Sequence, residues 1–191
     1  MTEPRIAPGS RSDIGWINWI IATVAGRVAG TAAPNLFRTL ARNRSLFRGW
    51  LRFAGRLMPR GTLPRRESEL VILRVAHLCN SEYEFEHHVR LGRRAGLSNE
   101  DVADVTRPLA QGTWTEREST ILSAVDRLHS DRNLDDDMWA ALRNQLLERE
   151  CIELLMLVGH YEMLATFLTT VRVPLDSPRK TQRSANDLPN S

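Results

Sequence analysis

Residues 66–98 decide the fold, and they read RESELVILRVAHLCNSEYEFEHHVRLGRRAGLS. Over residues 67–79 the side chains are apolar on nearly every face, which is typical of a helix buried at the centre of a domain. An interruption follows, and Ser81-x-x-Glu84 has the spacing of a capping box, the signature of a helix start. We therefore expect a central helix over 67–79 and a second helix over 82–95.

The rest of the chain continues this helical pattern on both sides. Residues 35–58 and 150–171 carry apolar side chains at helical spacing, and further capping signals precede the segments between them. Apart from a short stretch at 171–173, no alternating pattern indicates a strand. The sequence predicts an all-α protein whose central layer is formed by 67–79, 82–95 and 150–171. The segments are separated or opened by Pro34, Pro59, Pro64, Ser98, Pro108, Thr115, Asp135 or Asp136, and Pro174.

Length and composition indicate one ordinary globular domain. The chain has 191 residues, of which 42% are hydrophobic and 26% are charged, so disorder and collagen-like structure are excluded. Cys79 and Cys151 are too few for a disulfide framework, and neither belongs to a CxxC motif. We expect a cytoplasmic protein with reduced thiols.

Charge is unevenly distributed along the chain. Residues 1–66 hold 12 arginines against Glu3 and Asp13, whereas the remainder holds 14 basic residues against 21 acidic ones. We expect the basic third to fold back onto the acidic part; an anionic partner is the alternative. Arginines at every fourth position over 48–60 form either a solvated face or an anion-binding stripe. With no base-stacking platform and no glycine-rich phosphate loop, we do not expect nucleic acid as a partner.

The most apolar early stretch spans residues 14–33. Its uninterrupted apolar run is shorter than the ~20 residues of a membrane-spanning helix, and no clean cleavage motif of a signal peptide follows it. We interpret it as an amphipathic helix docked on the body of the protein, with an interfacial membrane helix as the minor alternative.

Candidate catalytic residues concentrate in the run 81–88. Glu84 and His88 are four residues apart, so a helix places them on one face, and Glu69 opens the apolar helix upstream. A carboxylate and an imidazole on one face can transfer a proton, and burial would raise the pKa of the carboxylate into a useful range. The alternatives are structural: a capping role for Glu84, a helix-dipole role for Glu69, and an ordinary surface pair for Glu84 and His88.

Taken together, the runs 66–76, 81–89 and 95–98 resemble the carboxymuconolactone decarboxylase / alkylhydroperoxidase D-like family. The resemblance is clearest over residues 66–104 and weaker at 157–161 and 35–41. It implies an all-α, alkylhydroperoxidase D-like helical domain, here with an N-terminal helical extension, that assembles into homo-oligomers.

The resemblance also assigns residues. The redox branch of the family has an upstream glutamate, a CxxC pair and a downstream histidine, which fall on Glu69, on Ser81 and Glu84, and on His88. A serine and a glutamate cannot form a disulfide, so this chain lacks the redox pair and is closer to the decarboxylase branch. Cys79 lies two residues before the first cysteine position and is interpreted as a buried helix-end thiol.

Three functions therefore stay open. The first is a cofactor-free lyase or related proton-transfer enzyme acting on a small organic acid, with Glu69, Glu84 and His88 as catalytic residues and no metal. The second is a non-catalytic helical oligomer that binds a ligand or partner. The third is a residual peroxidase-type activity, disfavoured by the missing CxxC. A mixed carboxylate–imidazole metal site that adds His87 or His160 to the predicted three is a minor alternative.

The same reasoning sets the expected organisation. We expect an N-terminal extension over 1–34, the family domain over 35–173 and a flexible polar tail over 174–191. A second copy of the chain and a small organic-acid substrate are the expected partners, and a membrane is not.

Overall fold

The protein was analysed as a computed structural model, which describes residues 3–29 and 33–177. This part of the chain is helical and contains no strand, so the all-α prediction is confirmed. Its helices are α1 (Arg11–Ile14), α2 (Trp16–Ala29), α3 (Asn35–Leu40), α4 (Arg44–Leu57), α5 (Arg65–Leu78), α6 (Glu82–Arg94), α7 (Asn99–Asp104), α8 (Glu116–Asp131), α9 (Asp136–Gln145) and α10 (Glu148–Val171), with a 3₁₀ turn at Leu109–Gln111.

Helix α5 is the centre of the fold, as its apolar sequence predicts. Ten consecutive residues, from Glu67 to Ala76, are buried. Helices α6, α10 and α8 all pack against α5. The expected layer of α5, α6 and α10 is therefore present, and α8 is an additional neighbour that the sequence pattern did not place there.

The boundary between α5 and α6 lies where the sequence predicts it, but the predicted capping box does not form. Asn80 takes a left-handed conformation with φ 51°, and the Ser81 amide donates to the Ala76 carbonyl over 2.8 Å. Because that amide is already bonded, it is not available to Glu84, and the Ser81 side chain makes no cap hydrogen bond. The boxes expected at Ser98 and Thr115 are both present.

The N-terminal segment docks on the body, but its outer face is not polar as expected of an amphipathic helix. Gly15, with φ 81°, separates α1 from α2, and α2 contacts α3 and α6. Its inward side buries Asn18 and Ala22. Its outward side exposes large apolar residues within about one quadrant of the helix, namely Trp16, Ile17, Ile20 and Val24.

The C-terminal segment is held in place where it leaves α10. Asp176 accepts a hydrogen bond from the Asn35 amide at 2.7 Å and another from the Tyr83 hydroxyl at 2.8 Å. Residues 174–177 of the predicted flexible tail are thus tied to α3 and α6. Residues 178–191, like 1–2 and 30–32, lie outside the described part of the chain.

Helix α10 is long and apolar enough to cross a membrane by length and composition alone, and it is the one such helix in the described ranges. More than half of its apolar window is buried inside the protein, where it packs against α5, α8 and α4. This burial is typical of the core helix of a globular domain.

The last two residues of the basic first third form ion pairs with acidic residues of the remainder. Arg66 binds both Asp101 and Glu118, and Arg65 lies against Glu69. The arginines of the 48–60 stripe are exposed. The basic third therefore folds back onto the remainder as expected. Among the described residues its ion pairs with the remainder lie at the start of α5, and hydrogen bonds to Glu153 and Asp176 add to the apolar packing.

An ion pair between the buried Arg74 and the partly exposed Asp126 joins α5 to α8, and it yields a stability prediction. Arg74, which is 6% exposed, binds Asp126 in a bidentate pair at 2.7 Å and donates to the Val105 and Arg107 carbonyls. Arg74→Ala would leave these acceptors without a donor, so we expect it to lower the free energy of unfolding by about 2–4 kcal/mol in urea titrations.

The matched control is Arg127→Ala on the same helix as Asp126. The Arg127 side chain is 58% exposed and its partner Asp131 is 50% exposed, so the unfolding midpoint should hardly move. Equal losses in the two variants would contradict the proposed importance of the Arg74 pair.

Candidate active site

A cavity of about 710 Å³ lies between α2, α4, α6 and α10. Most of its wall is apolar, supplied by leucines and aromatic residues of α4 and α10 and by the edge of α2 that carries Ile21, Val24 and Ala25. Within this wall the ionisable residues are few, and they lie mainly on α6 and α10 or at the start of α5. The polar and ionisable side chains that line the cavity are Arg60, Arg65, Tyr83, Glu84, His87, His88, His160 and Tyr161.

Glu69 and His88, which lie 19 residues apart, meet at the wall of this cavity. Glu69 is completely buried and His88 is 6% exposed, and the Nδ1 atom of His88 lies 2.7 Å from Oε2 of Glu69. An ionised carboxylate can only accept, so Nδ1 carries the proton and donates. The opposite nitrogen, Nε2, is then left as an acceptor for a molecule in the cavity.

A glycine makes room for Leu97 beside the pair. A Cβ atom at Gly92 would lie 2.7 Å from the Leu97 side chain, whereas its distance of 3.7 Å from the Cβ of Glu69 would be an ordinary van der Waals contact. Gly92 follows His88 by one helical turn, so Leu97 packs next to the Glu69–His88 pair.

Arg65 compensates the second oxygen of the buried glutamate. Its Nη2 atom lies 2.6 Å from Oε1 of Glu69, one turn away on α5, in an ion pair outside the angular limits of a hydrogen bond. Both carboxylate oxygens of Glu69 therefore face a polar partner. Arg65 was not among the site residues predicted from the sequence, although its i,i+4 spacing to Glu69 indicates that the two side chains can pair.

Glu84 lines the same cavity but is not part of a three-residue cluster as expected. It is 2% exposed, and neither of its oxygens has a hydrogen-bond partner in the described part of the chain. Burial raises the pKa of Glu84 from 4.5 to about 8, and the proximity of the Ser81 hydroxyl opposes this only in part. Glu84 is therefore a neutral acid near pH 7.

Two further histidines lie in the cavity wall, and both are neutral near pH 7. Burial is the main cause that lowers the pKa of His160 to about 4 and that of His87 to about 3, and the nearby His88 adds to it. His160 stacks on Trp50 with ring centroids 6.0 Å apart. Sequence reasoning treated His160 as a core histidine or a minor metal ligand, because a single histidine in an apolar helix carries no signal of a cavity.

Comparison with known families supports the interpretation of these helices. The model of the carboxymuconolactone decarboxylase family matches residues 44–127, which include α4, α5, α6 and most of α8. Residues 44–127 are thus similar to the carboxymuconolactone decarboxylase family. The resemblance inferred from the sequence is thereby confirmed.

Solved structures with the same fold cover nearly the whole chain. An uncharacterized peroxidase-related protein from Silicibacter sp. TM1040 has a TM-score of 0.79 at 13% identity, covering 93% of this chain and 95% of its own. An alkylhydroperoxidase AhpD core protein from Ralstonia eutropha JMP134 has a TM-score of 0.78 at 16% identity, covering 91% and 94%.

The debrominase Bmp8 in complex with 2,3,4-tribromopyrrole has a TM-score of 0.77 at 15% identity, covering 91% of this chain and 92% of its own. At these identities the likeness shows the shared fold alone. No curated protein matches the sequence.

The two cysteines of this chain do not restore the CxxC pair that the resemblance assigns to the redox branch of the family. Cys79 and Cys151 are both free, and burial, followed by the charges of Glu162 and Glu84, raises the pKa of Cys79 to about 11. A thiol with that pKa is almost entirely protonated at neutral pH, whereas the thiolate is the reactive form.

The minor metal alternative at the cavity is not favoured by the geometry. Within residues 3–29 and 33–177, the set of three metal-type ligand atoms that lie within 4.8 Å of one another is formed by Cys79, His129 and Glu162. That set does not include the residues of the predicted mixed site.

The raised pKa of Glu84 predicts a pH dependence of stability. Between about 4.5 and about 8 the folded protein keeps a proton that the unfolded chain loses, so the free energy of unfolding falls as pH rises through this window. Glu84→Gln removes this titration. As pH rises through the window, the difference in free energy of unfolding between the variant and the wild type should grow by at most about 1.4 kcal/mol per pH unit in urea titrations.

Glu86→Gln on the same helix is the matched control, because the Glu86 side chain is exposed. The difference in free energy of unfolding between Glu86→Gln and the wild type should not change with pH. Parallel pH profiles of wild type and Glu84→Gln would show that Glu84 ionises normally and would remove it as a candidate acid.

Proposed function

We propose that this protein is a cofactor-free lyase or related proton-transfer enzyme that acts on a small organic acid. The observation that carries the proposal is the His88 imidazole, which lines the cavity and is held at Nδ1 by the buried Glu69 carboxylate. A histidine oriented by a carboxylate presents a defined nitrogen to its substrate, as general acid–base catalysis requires. A purely structural pair would have no need of an adjacent cavity.

The cavity favours a small substrate with one acidic group near its entrance. Its volume lies within the range of about 300–1,000 Å³ that is typical of small-molecule sites. Arg65 is paired with Glu69, whereas Arg60 is exposed and has no acidic partner among the described residues. Arg60 is therefore the best candidate to bind a substrate carboxylate, and it is also the last arginine of the 48–60 stripe.

Two of the ionisable groups that line the cavity, His88 and Glu84, have complementary protonation states. Nε2 of His88 accepts a proton, and the neutral carboxyl of Glu84 donates one near pH 7. In a decarboxylation the bond to the departing carboxylate carbon would break, CO₂ would leave, and the electron pair would remain as an enolate that takes a proton from Glu84. A carboxylate that faces the apolar wall is destabilised relative to neutral CO₂, which favours this loss.

Binding without catalysis is the second candidate, and the apolar wall of the cavity favours it. The debrominase Bmp8, which shares the fold, binds 2,3,4-tribromopyrrole, a small ring that is no carboxylic acid. Peroxidase-type activity remains disfavoured, since Ser81 and Glu84 stand at the positions of the cysteine pair. We also propose a reducing cytoplasmic location, in keeping with the unpaired Cys79 and Cys151.

The test is a screen of purified protein against muconolactone-type and related small acids. Release of CO₂ and incorporation of solvent deuterium into the substrate are measured by NMR. We expect His88→Ala to lower kcat by about 10²–10⁴-fold, because proton transfer contributes a factor of that size. His77→Ala, which changes a histidine outside the cavity on α5, should leave kcat unchanged.

The role of Arg60 is tested in the same assay. Arg60→Gln should raise KM with little change in kcat, whereas Arg52→Gln, in the same exposed stripe, should change neither. The rate should also fall above about pH 8, where Glu84 ionises. Binding of the acids without turnover would favour the second candidate, and hydroperoxide turnover that Cys79→Ser abolishes would favour the third.

We further propose that the protein is a homo-oligomer. Helix α10 exposes Ile152, Met156 and Met163 along one stripe with Gly159 between them, and α2 exposes four large apolar residues. Apolar residues spaced four, three and four positions apart lie on one face of a helix and suit packing against the same face of a second copy. The stripe lies opposite the buried side of α10, so a partner there would leave the cavity wall unchanged.

Light scattering of the full chain should give the mass of a dimer or larger assembly at micromolar concentration. The double variant Met156→Asp and Met163→Asp should shift it to a monomer, because association would bury two carboxylates in each copy. Leu175→Asp changes an exposed apolar residue away from this stripe and should leave the mass unchanged. A wild-type monomer would overturn the proposal.

A further inference from the structure

Three potential metal ligands from three different helices meet away from the cavity. Cys79 is the C-cap of α5, His129 lies in the last turn of α8, and Glu162 lies in the middle of α10. Sγ of Cys79 is 3.9 Å from Nδ1 of His129, which is 2.9 Å from Oε1 of Glu162. All three ligand atoms lie within 4.8 Å of one another, and none of these residues lines the cavity.

The contacts within the trio leave one group without a good partner. If Nδ1 of His129 carries a proton, it donates to Glu162, and it then has no lone pair for the Cys79 thiol. If Nδ1 lacks the proton, it can accept from the thiol but no longer bonds the ionised carboxylate. A cation between the three atoms would be a partner common to all of them.

The separations are close to those of a tetrahedral zinc site. Zn–S bonds of about 2.3 Å and Zn–N or Zn–O bonds of about 2.0–2.1 Å place S and N about 3.5 Å apart and N and O about 3.3 Å apart. The observed distances of 3.9 and 2.9 Å lie on either side of these values. For these two pairs of atoms, shifts of a few tenths of an ångström in side chains that are only partly buried would give the coordination distances, and the sulfur and the carboxylate oxygen lie within 4.8 Å of each other.

The surroundings supply orientation and access. Arg132, which ends α8, pairs with the other oxygen of Glu162, Oε2, and so leaves Oε1 directed at the trio. The His129 side chain is 29% exposed, which gives an ion a path from solvent. Hydrogen bonds to the second atom of a ligand group are common in metal sites, where they fix the orientation of the ligand.

We propose that Cys79, His129 and Glu162 form a Zn²⁺ site with three protein ligands and a fourth position open to water. A thiolate, an imidazole and a carboxylate are the side chains that zinc binds in proteins, and a mixture of sulfur, nitrogen and oxygen donors disfavours Mg²⁺ and Ca²⁺. The ion would join α5, α8 and α10, the helices of the core, and it would have no part in the proton transfer proposed above.

Titration of tag-free, reduced, full-length protein with Zn²⁺ tests the site by calorimetry. We expect one ion per chain, and an increase in Tm of about 5–10 °C at 100 times Kd because the ion binds the folded chain. Co²⁺ used in place of Zn²⁺ should give a thiolate-to-cobalt charge-transfer band in the near ultraviolet.

Ligand variants decide whether the bound ion occupies this site. Cys79→Ser should abolish the cobalt band and weaken Zn²⁺ binding by about 100-fold or more, and His129→Ala and Glu162→Gln should weaken it by at least about 10-fold. Cys151→Ala and His77→Ala are the matched controls and should retain both signals.

Two results would overturn the proposal. One is the absence of stoichiometric Zn²⁺ binding to the folded wild type. The other is binding that persists unchanged in Cys79→Ser or Glu162→Gln. If circular dichroism shows that Cys79→Ser does not fold, the rate of alkylation of Cys79 is measured in the wild type instead. Zn²⁺ should slow this alkylation, and an unchanged rate would overturn the proposal.

Discussion

The buried carboxylate of Glu69 is the constraint on which the rest of the site depends. An ionised carboxylate is costly to place at the start of a helix that is buried over ten consecutive residues, unless partners compensate both oxygens. His88 and Arg65 provide that compensation from α6 and from α5 itself. The requirement constrains how α6 lies on α5, because His88 must reach Glu69 from α6.

Both oxygens of Glu69 face a polar partner, whereas neither oxygen of Glu84 has a hydrogen-bond partner among the described residues. Glu84, His87 and His160 lie in an apolar wall with few hydrogen-bond partners, so burial favours their neutral forms. The cavity thus combines one oriented imidazole with a neutral carboxyl group. This arrangement suits transfer of a proton, and it differs from a redox centre, which would require a stable thiolate.

By the family resemblance, Ser81 and Glu84 stand where the redox branch has its cysteine pair, whereas the helical fold is shared with proteins described as peroxidase-related. Structures described as peroxidase-related and as a debrominase share the fold over more than nine-tenths of this chain, at identities of 13–16%. A shared fold does not by itself determine the chemistry, which depends on the side chains of the site. In this chain the start of α6 provides an acid.

The sequence by itself determined the helices, their order and the central position of α5, because apolar periodicity and turn residues act locally. It also indicated Glu69, Glu84 and His88, through spacing and family resemblance. It could not determine that Ser81 would leave Glu84 uncapped, since the competing bond from the Ser81 amide to Ala76 depends on the left-handed turn at Asn80. Only the tertiary structure brought Arg60 and His160 to the cavity and Cys79, His129 and Glu162 together. Residues 30 to 100 positions apart meet through the packing of helices, and no local pattern encodes that packing.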